Sequence, residues 1–524
     1  MSFICKLYNC RAGIAMLENV SREQTSLTRR KLFGTLAGAT IPRAAHARDR
    51  KPNFLFLLAD DHAGYVLGAQ GNARAITPNL DRLASEGTRF ARHYCNSPVC
   101  TPSRQSLFTG QLPHSAGVTV LKTPLDENRP TLAKALGSQG FSTAVFGKMH
   151  FNRPGRPGLH GFAQAWTEDI VQKRWSEAVG SQPDFGDIRV KPVWRPFRDP
   201  ARIWLNAEKL PFPRKYDQMK STWVASQASR YLEEHKDDRF ALWVSFQEPH
   251  SPYDFPIEWR DKFNPADFAA PKVGPEDASQ IPLIFRDLSP TEKQGIIAAY
   301  YTSVNYLDHN IGVVLNQLRQ LNLENDTLVV YLADHGYSLG QHGRFEKHCG
   351  YEPALHVPLM IRWPGHVGKG IINDLTEHVD VAPTILELLH GEPFPVQHGQ
   401  SLCPYLEGKK PAKPRTSIFS EYLENEEAYL RTNQWKLVHG SGRRIRTDGY
   451  KTDNPTPGRT IRLYDWKKDP GEFHNIADRH PEVVEMLSRQ LLARFRTTHP
   501  EAGSEPAGLK VPDAIEWYLR PRDA

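Results

Sequence analysis

At 524 residues the chain exceeds a usual single domain, and 39% hydrophobic content with 11 Trp, 18 Tyr and 24 Phe suffices for a folded core. The formal charge of +7 does not describe a nucleic-acid partner: residues 1–47 carry +5, the remainder only +2, and no basic block interleaves with aromatics. No run approaches the roughly 20 apolar residues of a membrane-spanning helix, so no span is predicted.

The first element in chain order is a targeting segment. Thr28-Arg29-Arg30-Lys31-Leu32-Phe33 resembles a twin-arginine motif, Gly34 to Ile41 is a short weakly apolar run, and Ala45-His46-Ala47 suits signal peptidase. Residues 1–47 are therefore expected to be an export signal leading to the periplasm or outside; a basic tail on a cytoplasmic protein is the alternative. Twin-arginine cargo folds before export, so a side chain could be modified in the cytoplasm first.

Asn53 to Ala59 follows as a continuous apolar run ending in Asp60-Asp61, the pattern of a strand buried on both faces of a parallel sheet. Ser142 to Phe146, Phe240 to Phe246, Thr327 to Ala333 and Val357 to Arg362 read the same way. Helices alternate with them. Thr77 as N-cap and Pro78 in the first turn open one that runs through Asp81 to Glu86. Thr291 to Leu321 is the longest, with Ile297, Tyr300, Val304, Leu307, Ile311, Val314 and Leu318 at helical spacing. The alternation predicts an α/β sandwich around a mostly parallel sheet. Phe151 to Lys220, rich in Pro, Arg and Trp, reads as a long irregular excursion over the sheet's top. From Ser401 the pattern changes: short strands (Ser417 to Glu421, Ala428 to Arg431, Trp435 to Val438, Arg462 to Asp465) precede an amphipathic helix, Pro481 to Phe495. The expected domains are a catalytic domain over 48–400 and a small antiparallel-sheet-and-helix subdomain over 401–524.

Two of the six cysteines fall in the leader, and Cys95, Cys100, Cys349 and Cys403 fit neither a zinc pattern nor a disulfide framework. The chemistry lies elsewhere. In open α/β sheets sites form at the carboxyl ends of strands. Two such ends carry acidic dyads, Asp60-Asp61 and Asp334-His335. Three carboxylates brought together repel unless a cation binds among them, which predicts a divalent metal. Hard oxygen ligands favour Ca2+ or Mg2+, while the His335 imidazole keeps Mn2+ or Zn2+ open.

Cys100-Thr101-Pro102-Ser103-Arg104, continued by Gln105 to Gly110, resembles the signature at which sulfatases have a cysteine oxidised to formylglycine. Phe146-Gly-Lys-Met-His150, Glu248-Pro-His-Ser-Pro252, Lys347-His-Cys-Gly-Tyr-Glu352, His356 to Gly365 and Leu463 to Glu472 resemble further motifs of that family, in family order from about Pro52 to Asp478. The chain is thereby identified as resembling the formylglycine-dependent sulfatases, which have the alkaline-phosphatase-like fold. The resemblance implies a formylglycine made from Cys100 by a maturation enzyme; its hydrate attacks a sulfate ester, the alcohol leaves, and the enzyme-bound sulfate is eliminated. It also implies that Asp60, Asp61, Asp334, His335 and residue 100 hold the metal, Ca2+ with Mg2+ or Mn2+ as alternatives. Arg104 would stabilise the nucleophile's charge, and Lys148 and Lys347 would grip sulfate oxygens. His150 would take the proton in the elimination, and His250 would donate to the leaving alcohol or contact sulfate. For His62, His342 and His348 a structural role is the better reading.

Two positions depart from the common pattern: His335 where many members carry Asn, as in the iduronate-, choline-sulfatase and phosphonate-hydrolase branches, and Cys349 where Thr or Ser is usual. Met149-His150-Phe151 and His160-Gly161-Phe162 resemble the choline-sulfatase branch, whose full substrate pattern is not evident. The expected activity is hydrolysis of an O-sulfate ester on a sulfated carbohydrate. Phosphonate monoester or phosphodiester hydrolysis with the same aldehyde is one alternative, and non-catalytic binding of sulfated glycans is another.

Overall fold

The computed structural model describes residues 52–181, 184–191, 205–443, 452 and 458–523. The predicted export signal lies outside them. Strand β1 (Asn53–Asp60) runs through the middle of an eight-stranded sheet and shows why an unbroken apolar run was needed there. Phe54, Phe56 and Leu58 point into one core, with Leu107 and Phe108; Leu55, Leu57 and Ala59 point into the other, with Leu307, Ile311 and Val314.

The other strands are β2 (Thr88–Phe90), β3 (Ser142–Gly147), β4 (Gln164–Trp166), β5 (Phe240–Pro249), β6 (Thr327–Ala333), β7 (Leu359–Arg362) and β8 (Gly370–Ile372). Their order is β8-β2-β7-β6-β1-β5-β3-β4. β1 is parallel to β5 and β6, β3 to β4 and β5, and β8 to β2; only β7 runs against its neighbours. The sheet is mostly parallel, as expected. The strand expected over Val357 to Arg362 is divided. His356–Val357 pairs with His93–Tyr94 in a separate three-stranded sheet, and Pro358, which lacks an N–H for a ladder, stands at the break.

Helix α1 (Pro78–Glu86) starts where predicted, but Thr77 does not cap it. The Thr77 hydroxyl instead donates to Asp81 Oδ1 at 3.0 Å and accepts from Gly68 N. The first-turn donors go to Asp308: Asn79 N to Oδ2 at 3.2 Å and Leu80 N to Oδ1 at 2.8 Å. Asp308 belongs to the longest helix (Pro290–Gln320), whose own start is a capping box between Ser289 and Glu292. The excursion from Phe151 to Lys220 is less irregular than expected. It supplies edge strand β4 and a twelve-residue helix, Glu168–Val179.

Toward the C-terminus, Ser417–Tyr422, Glu427–Thr432, Trp435–Gly440 and Thr460–Asp465 form a four-stranded antiparallel sheet in sequence order. A helix, Pro481–Thr498, covers it through Leu487, Leu491 and Phe495, and Val511–Tyr518 adds Ile515 and Tyr518. Among the described residues no helix is long and apolar enough to cross a membrane.

Candidate active site

Parallel pairing of β1 with β6 sets Ala59 opposite Ala333, so the residues that follow, Asp60 and Asp334, emerge side by side. Asp334 N donates to Ala59 O at 3.1 Å, and Asp61 N donates to Asp334 Oδ1 at 3.1 Å. Asp61 holds φ at +66°, in the left-handed region; this turns the chain off the strand and keeps its carboxylate in the same buried cluster. Helix Cys100–Thr109 enters from beside these tips, wholly buried, with Cys100 as its first residue.

Cys100 Sγ lies 3.7 Å from Asp60 Oδ1, 3.2 Å from His335 Nε2, 3.2 Å from Lys347 Nζ and 3.9 Å from Lys148 Nζ. One turn along the helix, Arg104 donates Nε to Asp334 Oδ2 at 2.8 Å, Nη2 to Asp60 Oδ2 at 2.9 Å and Nη1 to Ser245 Oγ at 2.9 Å. Lys148 Nζ sits 2.6 Å from Asp60 Oδ2, and Lys347 Nζ 2.9 Å from Asp61 Oδ1. His335 Nδ1 is 3.0 Å from Asp61 Oδ1. His250 Nε2 is 3.9 Å from Asp61 Oδ2, while its Nδ1 lies 2.6 Å from Ser251 O. His150 lies close enough to Cys100 to help lower its thiol, and the His150 backbone, at φ +56°, is held by Glu168 Oε1 accepting from His150 N at 2.7 Å.

The electrostatics follow from this packing. Burial pushes the Cys100 thiol up, but Lys148, Lys347 and His335 outweigh it and bring the thiol well below its ordinary value. Burial likewise raises Asp61, and Lys347, His250 and His335 reverse the effect, leaving the carboxyl below the usual range. Asp334 stays raised, because burial and the neighbouring Asp60 exceed the pull of Arg104. The fit to a divalent cation rests on the donor set. Ligand atoms of Asp60, Cys100, Asp334 and His335 lie within 4.8 Å of one another, and Asp61 Oδ2 is buried with no hydrogen-bond partner. An orphaned carboxylate oxygen beside two further carboxylates is where a cation supplies the missing partner.

All ten residues singled out in the sequence stand in this one cluster. The three histidines given a structural role in the sequence lie outside it. His62 is tied to Tyr331 and Val66, His342 stacks on Tyr351 with centroids 3.6 Å apart and bonds Asp277, and His348 lies 3.3 Å from Glu346. Cys349 packs in an apolar cluster with Tyr94 and Tyr351, where burial pushes its thiol up to about 11. Cys95 and Cys403 are also buried free thiols.

Four neighbours of the site were not singled out. Ser245 accepts from Arg104; a lone polar residue in the apolar run Phe240 to Phe246 was the available signal. Gln105 donates to the carbonyls of Met149 and His150. Glu168 gave no signal, since the stretch around it reads as irregular. His378 Nε2 lies 2.9 Å from Asp334 O, backed by His93 at 3.0 Å, in a stretch that reads only as polar.

Similarity to known proteins agrees with this geometry. The Sulfatase family profile matches residues 52–391, and the profile described as N-sulphoglucosamine sulphohydrolase, C-terminal, matches residues 340–497. The chain is 28% identical to the choline-sulfatase of Rhizobium meliloti (strain 1021), covering 90% of this chain and 91% of that one. It is also 28% identical to the Delta 4,5-hexuronate-2-O-sulfatase of Bacteroides thetaiotaomicron, covering 88% and 92%. Among solved structures, the phosphonate monoester hydrolase of Agrobacterium radiobacter superposes with a TM-score of 0.71 at 25% identity, covering 87% of this chain and 97% of that one. With a family profile spanning well over half its length, the chain belongs to the sulfatase family and is a sulfuric ester hydrolase.

Proposed function

We propose that the enzyme hydrolyses an O-sulfate ester on a saccharide, with residue 100 as nucleophile after a maturation enzyme has oxidised the cysteine to formylglycine. The observation that carries this reading is the placement of Cys100 Sγ, 3.2 Å from both His335 Nε2 and Lys347 Nζ and 3.7 Å from an Asp60 oxygen. Asp60, Asp61, Asp334 and His335, with residue 100, would hold a divalent cation, Ca2+ or in its place Mg2+ or Mn2+. Bound there, it would polarise a sulfate oxygen and favour the ionised nucleophile.

The chain's own residues divide the remaining work. Lys148 and Lys347 put two ammonium groups beside residue 100, where an anionic sulfate arrives and where negative charge grows. Arg104 donates to Asp60 and Asp334 at once, which fixes both carboxylates in orientation. His250 donates Nδ1–H to the Ser251 carbonyl, so its Nε2 is the atom that gains or gives a proton, here to the leaving alcohol. His150 Nδ1 is buried without a hydrogen-bond partner, and the His150 imidazole would take the proton released at residue 100.

A saccharide is favoured because a relative over nearly the whole length is a hexuronate-2-O-sulfatase. Phosphonate monoester hydrolysis is a second reading, supported by the superposition on the Agrobacterium radiobacter enzyme. Turnover of an aryl sulfate against phenyl phosphonate separates them, and a strong phosphonate preference would replace the first reading. Peptide mass analysis of residue 100, from a host able to oxidise it, is expected to give formylglycine. Cys100→Ala is expected to abolish turnover with the fold retained; undiminished turnover would remove residue 100 from its role. Export belongs to the same proposal and rests on the twin-arginine pattern in residues 1–47.

A further inference from the structure

Away from the nucleophile, a cavity of about 330 Å3 opens between the C-terminal helix Pro481–Thr498, the start of strand Ser417–Tyr422 and the segment around Glu377. Its size falls within the roughly 300–1,000 Å3 of small-molecule sites. The helix presents Gln490, Ala493, Arg494 and Thr497 to it, four residues at the spacing of one helical face. The opposite wall comes from Lys413-Pro414-Arg415-Thr416-Ser417, which the catalytic cluster does not use.

The charges of this cavity are not balanced. Lys413, Arg415 and Arg494 line it against a single lining carboxylate, Glu377, with Asp380 behind. Glu377 is already shared: Oε1 faces Arg415 Nη1 at 3.3 Å, and Oε2 faces Arg494 Nη2 at 3.2 Å. Arg494 Nε is buried with no hydrogen-bond partner, and Lys413 has no carboxylate partner among the described residues. The Arg494 side chain is a quarter exposed at the cavity wall, where its guanidinium can meet a ligand, and surplus positive charge selects an anionic one. The amides of Gln400 and Gln490 beside it suit sugar hydroxyls. The cavity shares no residue with the catalytic cluster. Glu377 faces its bases, while the next residue, His378, holds the Asp334 carbonyl on the other side.

We propose that this cavity is a second, non-catalytic site that binds a sulfated sugar unit and so anchors an oligosaccharide substrate to the enzyme. The choice of a sugar as ligand rests on the saccharide reading above; the preference for an anion does not. Full-length Cys100→Ala protein, which cannot consume the ligand, is titrated calorimetrically with a heparin tetrasaccharide, and in a parallel arm with inorganic sulfate. Adding Lys413→Gln and Arg494→Gln is expected to remove one binding event, or to weaken overall affinity by about tenfold where the events merge. Arg494 touches buried Glu377, so Lys413→Glu, at an exposed position, is tested alone and is expected to weaken the same event several-fold. Identical isotherms in all variants, or no binding beyond the event that Lys148→Ala removes, would overturn the proposal. Inorganic sulfate binding there as tightly as the tetrasaccharide would overturn the sugar assignment. Turnover of an aryl sulfate by the parent enzyme is measured alongside: its absence sinks the proposed activity, whereas turnover with unchanged isotherms sinks only the second site.

Discussion

Removing the Glu168 carboxylate tests whether His150 works by being held in place. His150 sits at φ +56°, a conformation that costs a non-glycine residue about 1–3 kcal/mol and persists only when its surroundings impose it. Two tethers impose it: Glu168 Oε1 accepts from His150 N at 2.7 Å, and Gln105 Nε2 donates to His150 O at 3.0 Å. A hydrogen bond to a charged group contributes about 1.5–3 kcal/mol, so Glu168→Ala withdraws a hold as large as the strain it opposes. With the Gln105 tether left, the productive placement becomes a minority state and kcat is expected to fall about tenfold, equivalent to ~1.4 kcal/mol. Glu168→Gln keeps an acceptor oxygen and is expected to stay within about threefold of the parent. The assay is kcat and KM on an aryl sulfate for both variants, with thermal unfolding to show that the fold survives. If Glu168→Ala keeps kcat within about twofold, or raises KM alone, Glu168 does not act through His150.

Chelation of divalent cations is expected to abolish turnover, with recovery on adding Ca2+, Mg2+ or Mn2+; full activity in excess chelator would remove the metal from the proposal. Burial pushes Glu248 up to about 7 from an ordinary 4.5, so the folded state holds a proton there that the unfolded chain releases earlier. Its contribution is full below pH 4.5 and is lost as pH rises through 7, an order-of-magnitude loss of about 3 kcal/mol for a group this buried. Glu248→Gln is therefore expected to flatten stability against pH in that window, measured by urea unfolding; an unchanged slope contradicts the shift. Asp308→Ala removes the acceptor for Asn79 N and Leu80 N at the start of α1 and is expected to cost about 2–3 kcal/mol, with less than ~0.5 kcal/mol arguing that water replaces it.

The sheet was legible because its strands are buried on both faces and therefore carry unbroken apolar runs, a signal that depends on few neighbours. The small C-terminal sheet was legible from its short strands and turns. Caps were not. Thr77 has the local pattern of an N-cap, but its hydroxyl is taken by Asp81, and the real cap, Asp308, comes from a helix more than two hundred residues later. The excursion after Phe151 misled for a related reason. Glu168–Val179 buries only Val171, so its sequence shows little of the apolar stripe by which a helix is recognised.

The site itself divides along the same line. The acidic dyads announced themselves through local pattern at strand ends, while the cysteine and the lysines were legible only through the resemblance of their motifs to the sulfatases. Residues that act by holding a neighbour were legible in neither way, because their partner is fixed only by the fold: Glu168 for His150, Ser245 for Arg104, His378 for the Asp334 carbonyl. Such residues matter here because the cluster is nearly all charge and nearly all buried. Asp60, Asp61 and Asp334 each lean on a specific cation, and Arg104 serves two of them at once. Deleting one member leaves a buried charge unpaired, which costs more than the contact itself contributed. Arg104→Ala is therefore expected to lower stability strongly as well as turnover, whereas Glu168→Ala, which removes one acceptor for a backbone N–H and unpairs no buried charge, should lower turnover with the smaller loss of stability. That contrast separates the residues that balance the charge from those that aim it.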